Sequence, residues 1–193
     1  MSRRLPIVAL NTVVFPGGIL PLRFFEPRYL DMVKRAIADD EGFGICAIRR
    51  GQETGTPAEP FDLGTEVVVT DWSMPEPGIL HVRTQARERF IVRTLATAPG
   101  GLLVGSVDDL HAECPAPIPE TLALAPEILR HIIADVGPER FPAPHALDDA
   151  AWVGFRLAEV LPLKLTARQD LLEMNDSVAR LKILCEFLRK EIH

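Results

Sequence analysis

The chain has 193 residues, 47% hydrophobic and 25% charged, which is enough to bury a real core and leaves no room for long disorder. A net charge of −6 argues against a nucleic-acid binder, because phosphate contacts need a basic face. Three widely spaced cysteines, Cys46, Cys114 and Cys185, fit a reducing compartment, and no run approaches the roughly 18 apolar residues of a membrane span, so the expected location is cytoplasmic.

Residues 5–10 and 12–15 are apolar and β-branched, and close at the turn Pro16-Gly17-Gly18; Pro6, Asn11 and Pro16 break any signal-peptide reading of this start. Ile19 to Leu22 resumes as a strand that runs into a helix. Pro27 suits the first helical turn, where it has no N–H to lose, and Glu26 beside it places a negative charge at the positive end of the dipole. Leu30, Val33 and Ile37, flanked by Met32 and Ala36, form one apolar stripe, predicting a helix over 27–38 that Asp39-Asp40-Glu41 and Gly42 bring to an end. Phe43 to Ile48 reads as a central strand, 51–62 as an exposed loop, and Leu63 to Met74 as the longest strand. Beyond the Pro75–Gly78 turn, Leu80, Val82, Thr84 and Ala86 alternate with His81, Arg83, Gln85 and Arg87, predicting a half-buried strand. Phe90–Ala96 and Leu102–Val107 are two more. Closely spaced strands joined by turns predict a meander closing into a small barrel.

The composition then changes. Residues 113–118, within Cys114-Pro115-Ala116-Pro117-Ile118-Pro119, read as a proline-rich hinge, and 119–193 has helical period throughout. Thr121–Val136 is one helix or two around Pro126. Asp148 or Asp149 caps a helix through Trp152, Val153, Leu157 and Leu161, and Thr166-Ala167-Arg168-Gln169 matches a capping box. Val178, Leu181, Leu184, Cys185, Leu188 and Ile192 stripe a last helix. The expected organisation is a β subdomain over 1–112, carrying the helix 27–38, and a helical subdomain over 119–193.

Motifs for catalysis are missing. None of the four lysines follows a phosphate-cradling glycine loop, and Ser106 lacks the second glycine of a nucleophile elbow. His111-x-x-Cys114 has no second half to complete a metal site, and the pairs Asp39-Asp40, Asp108-Asp109 and Asp148-Asp149 point apart in helix or strand. The expectation is a non-enzyme with no catalytic residue, cofactor or metal. Trp72 and Met74 near a strand end are either barrel-rim packing or an exposed binding contact.

A family resemblance carries the reading further. Leu5-Pro6-x-Val8-x-Leu10-Asn11-x-Val13-Val14-Phe15-Pro16-Gly17, the corner Leu20-Pro21-Leu22 to Phe25-Glu26-Pro27-Arg28-Tyr29, and Gly64-Thr65 resemble the N-terminal, substrate-binding domain of Lon ATP-dependent proteases. Leu161-Pro162-Leu163-Lys164-Leu165, Gln169, Leu172-Glu173-Met174, Asp176 and Arg180-Leu181 are similar to its closing helices. The resemblance implies an α+β fold, a PUA-like β pseudobarrel with one helix followed by a helical bundle. It implies a non-catalytic domain that binds unfolded or extended polypeptide, or a protein subunit, as a stand-alone LON-domain protein acting as adaptor or regulator in protein quality control. Its ATPase and Ser-Lys peptidase parts have no counterpart here. The candidate binding residues are Phe24, Glu26, Arg28, Trp72 and Met74. The alternative is a PUA-like RNA-binding module, for which the face of His81, Arg83, Gln85 and Arg87 is the local support.

Overall fold

The computed structural model describes residues 2–191, in two compact units, Met1–His111 and Ala112–His193. Ile192, expected on the last helical stripe, lies outside the described residues.

In the first unit, β1 (Arg3–Leu10) pairs antiparallel with β7 (Leu103–Asp109) through residues 3–7 and parallel with β3 (Phe43–Arg50) through residues 7–10. β3 continues to β5 (Leu63–Glu76), β5 to β6 (Ile79–Thr97) and β6 back to β7. These five strands close on themselves, so each finds hydrogen-bond partners on two sides over part of its length. A parallel pair cannot be joined by a hairpin, and the long connection from β1 to β3 holds β2 (Ile19–Phe24) and α1 (Pro27–Asp39). β2 lies off the ring, paired with β6 alone; β4 (Glu59–Pro60) is a short addition to β3.

Strand alternation sends side chains into two cores. Val8, Phe24, Phe43, Ile45, Val67, Leu80 and Val82 pack with Tyr29, Met32, Val33 and Ala36 of α1. Leu5, Ile7, Ala9, Cys46, Phe90, Leu103 and Val107 form the other. Gly64 makes room for this second cluster, because a Cβ there would press on the Ile45 carbonyl, the Cys46 sulfur and the Phe90 ring. Burial pushes the Cys46 thiol up to about 12, so it is a protonated packing group.

Residues 79–97 form one strand of 19 residues where the sequence predicts two. The apparent break at Arg87-Glu88-Arg89 is a change of neighbour along one continuous strand. β2 lines residues 80–85 and β7 lines residues 90–97, while β5 accompanies both halves with bulges that shift the side-chain phase.

In the second unit, a 3-10 turn (Glu120–Leu122) precedes α2 (Leu124–Val136), α3 (Ala150–Val160), α4 (Leu165–Glu173) and α5 (Ser177–Glu191). Pro126 sits in the first turn of α2, where its missing N–H costs no helical bond. Asp149 caps α3, its carboxylate accepting from the N–H groups of Ala151 and Trp152 and also from Ala116 of the proline-rich segment. That segment is therefore pinned, with Pro117 bridged to Asp149. The capping box expected at Thr166 does not form: α4 starts at Leu165, and Gln169 donates forward to Glu173 Oε1 at 2.8 Å. The polar centre is Arg180, fully buried, ion-paired with Glu113, bonded to the carbonyls of Leu171 and Met174, and stacked 4.1 Å over the Phe155 ring.

Candidate functional site

The site is built where β2 turns into α1. Glu26 has extended backbone at the helix N-cap, its carbonyl accepts from Tyr29 and Leu30, and Pro27 follows at the first helical position. The Glu26 carboxylate makes no cap hydrogen bond; it pairs at 2.8 Å with Arg28 Nη2. The other terminal nitrogen of Arg28 donates to the Gly101 carbonyl at 3.0 Å, and the guanidinium lies 4.7 Å over the Tyr29 ring. Only 7% of the Arg28 side chain is exposed, so its charge is spent inside the unit, tying α1 to the turn between β6 and β7.

In front of this arrangement lies an open pocket of about 300 Å³. Val8 and Leu10 of β1, Pro21, Leu22, Arg23 and Phe24 of β2, the connecting Phe25 and Glu26, Tyr29 of α1, and Glu53 and Thr54 line it. Its floor is apolar and its rim is polar, the usual make-up of a small recognition site. Phe24 is buried, its ring tilted against Tyr29 and edge-on to Phe43, so it forms floor, whereas the adjacent Phe25 is 57% exposed at the rim. Burial raises the Tyr29 hydroxyl; Arg28 pulls it down, and Glu26 and Glu53 add to the rise. It is a neutral donor here. Glu53 is anchored by accepting the Asn11 N–H.

Of the residues singled out from sequence, Phe24 and Glu26 line the pocket and Arg28 supports it from behind. Trp72 and Met74 do not line it. They stand 55% and 43% exposed towards the outer end of β5, with Trp72 in the same cross-strand row as Val82 and Leu22. Phe25, Leu22 and Glu53 line the pocket without having been candidates, and Tyr29 of the Glu26–Tyr29 corner lines it as well. A signal for Phe25 existed, since in the pair Phe24-Phe25 an extended backbone sends only one ring inward.

On the opposite face of β6, His81, Arg83 and Gln85 are half-buried and Arg87 is exposed. Gln85 spends its amide on the Gly17 carbonyl, and Asp71 stands beside Arg83 in register, which interrupts the basic row. Ser106 lies within β7. Asp108 turns to Ser2 and Arg93 while Asp109 turns to Arg3, and these bonds hold both carboxyls below their ordinary range. Among the described residues no three His, Cys, Asp or Glu side chains converge to hold a metal, and no helix is long and apolar enough to cross a membrane.

The family model described as the ATP-dependent protease La (LON) substrate-binding domain matches residues 4–190. A crystal structure of a Lon N-terminal domain protein from Xanthomonas campestris is 33% identical, with a TM-score of 0.79 over 94% of this chain and 96% of that one. The N-terminal domain of Lon protease from the Mycobacterium avium complex shares the fold at 16% identity, with a TM-score of 0.64 over 95% of this chain and 97% of that one. Among curated relatives, Lon protease 2 of Myxococcus xanthus is 29% identical over 97% of this chain, and Lon protease of Anaeromyxobacter dehalogenans (strain 2CP-C) is 28% identical over 97%. The chain spans about a quarter of the length of these relatives, 24% and 23%.

Proposed function

The chain belongs to the Lon substrate-binding domain family, and from that premise we propose that it holds unfolded or extended polypeptide, or a protein subunit, weakly and without chemistry. The observation that carries this reading is the open pocket at the β2–α1 corner. The pocket is open to solvent over a floor of Val8, Leu22, Phe24 and Tyr29, and the two carboxylates in its lining, Glu26 and Glu53, are engaged by Arg28 and by the Asn11 N–H. A pocket of about 300 Å³ is the size for one large apolar side chain of a passing chain. Such side chains are accessible in unfolded proteins and hidden in folded ones, which gives selectivity for non-native chains.

In this reading the first unit is a PUA-like pseudobarrel, the second a helical bundle, and the whole a cytoplasmic adaptor or regulator in protein quality control. Affinity is on the order of micromolar, because an unstructured partner loses conformational entropy on binding. The test compares one secreted protein in two forms, disulfide-intact and reduced with alkylated cysteines, for binding to the immobilised chain. Retention of the unfolded form alone supports the reading; equal retention of both, or of neither, refutes it.

A further inference from the structure

Resting on the polypeptide-binding reading above, we propose that the open edge of β2 takes an extended segment as an added strand, with an acidic side chain opposite Arg23 and apolar neighbours entering the corner pocket. The hydrogen-bond phase of β2 follows from its start. Ala86 N–H donates to the Gly18 carbonyl, and Gly18 falls opposite Ala86 when the register Ile19↔Gln85 is extended by one residue. In an antiparallel ladder, bonded and non-bonded pairs alternate. Leu20, Leu22 and Phe24 therefore direct their backbone groups to β6, and Ile19, Pro21 and Arg23 direct theirs to the open side.

Pro21 fits this phase, since a strand proline is tolerated where no donor is needed by the neighbour. It also blunts the edge against indiscriminate pairing. What remains is a short docking rail in which Arg23 alone of the central residues offers both an N–H and a carbonyl. β1 is likewise without a partner on its β7 side beyond Ile7, and its Val8 and Leu10 line the same pocket as β2. The gap is thus flanked by backbone on two sides.

Charge complementarity selects the occupant. Arg28 is neutralised by Glu26, Arg3 by Glu66 and Asp109, and Arg93 by Asp108. Arg23, by contrast, is exposed at the pocket rim, makes no ion pair among the described residues, and is paired across the sheet with His81 on the same face. A strand residue opposite Arg23 shares that face, and its two neighbours share the face of Leu22 and Phe24, where the pocket opens. An apolar–acidic–apolar segment satisfies both faces at once.

The test uses fluorescence anisotropy with three labelled heptapeptides that share their apolar residues. One has a central Asp, one a central Lys, and one a central Asp with a methylated backbone nitrogen. The Asp peptide binds about five- to tenfold tighter than the Lys peptide, the order inverts in Arg23→Glu, and N-methylation costs at least about tenfold. A reduced and alkylated protein is titrated alongside. If it binds but the peptides ignore both N-methylation and the Arg23→Glu change, strand addition is wrong and the polypeptide-binding reading stands. If neither binds, both fall.

Discussion

Arg28 and Gly101, 73 residues apart in sequence, are joined by a hydrogen bond of 3.0 Å from Nη1 to the carbonyl oxygen. With Glu26 holding the other terminal nitrogen, the start of α1 is fixed to the turn between β6 and β7. Arg28, one of the five candidate binding residues, thus braces the corner. Arg28→Ala leaves Glu26 and the Gly101 carbonyl without their donor and lowers stability by about 1.5–3 kcal/mol. Arg28→Lys recovers only part, since a point charge cannot serve both acceptors in the same plane. Urea midpoints measure this; wild-type stability with lost binding would instead make Arg28 a direct contact.

Asp40 ends α1 in the left-handed region at φ 53°, with its N–H bonded to the Ala36 carbonyl. A glycine relieves that conformation, so Asp40→Gly raises stability by about 0.5–1 kcal/mol, seen as a higher midpoint of thermal unfolding. A lower midpoint would mean that the aspartate side chain contributes more than the backbone strain costs.

Gly64→Ala forces a methyl group against the Ile45 carbonyl, which is backbone and cannot rotate aside. The expected loss is about 1–3 kcal/mol by urea unfolding. Gly78→Ala, at a hairpin turn with nothing near its added methyl, tests a different cost, the positive φ of 82°, and is expected to lose about 1 kcal/mol.

Glu159 gives stability an unusual pH dependence. Burial pushes its carboxyl up to about 7, against the pull of Arg156 at 2.8 Å and of Arg140 and Arg168. The folded chain therefore keeps this proton up to about 7, whereas the unfolded chain releases it near the ordinary value of 4.5. Between those values the folded state binds more protons, so this contribution is full below pH 4.5 and is lost as pH rises through 7. Unfolding midpoints in urea should fall across that window in wild type and stay flatter in Glu159→Gln. Parallel curves for the two proteins would contradict this. Asp108 and Asp109 act oppositely: their depressed values give a contribution that is present at neutral pH and is lost only as pH falls below the ordinary carboxylate range.

Much of this fold is legible locally. Pro27 marks a helix start because its φ and missing N–H fit there, whereas the stripe read as Leu30, Val33 and Ile37 flanked by Met32 and Ala36 is rotated slightly from the buried face, which is Tyr29, Met32, Val33 and Ala36 with Leu30 and Ile37 partly buried. The clean alternation from Leu80 to Ala86 gives the core face of β6. What fails to read is what depends on distant partners. The polar stretch Arg87-Glu88-Arg89 resembles a turn, yet Arg89 is buried in a continuous strand because its neighbours change there. The pocket joins Val8 and Leu10 to the corner at 21–29 and the loop at 53–54, a meeting created by the parallel pairing of β1 with β3. Arg180 likewise finds its partners, Glu113 and the carbonyls of Leu171 and Met174, only in the folded unit.

The central claim is that the β2–α1 corner is where polypeptide binds, and Phe25 offers the most direct access to it. Phe25 is 57% exposed at the pocket rim, so Phe25→Ser should change stability by no more than about 0.5 kcal/mol. Titrating a fluorescently labelled, permanently unfolded protein with wild type, Phe25→Ser and Trp72→Ala reads the location out. Binding about tenfold weaker in Phe25→Ser than in wild type, with unfolding midpoints unchanged, is the predicted result. Equal affinity of wild type and Phe25→Ser, with loss confined to Trp72→Ala, would contradict the corner and move the site to the outer end of β5.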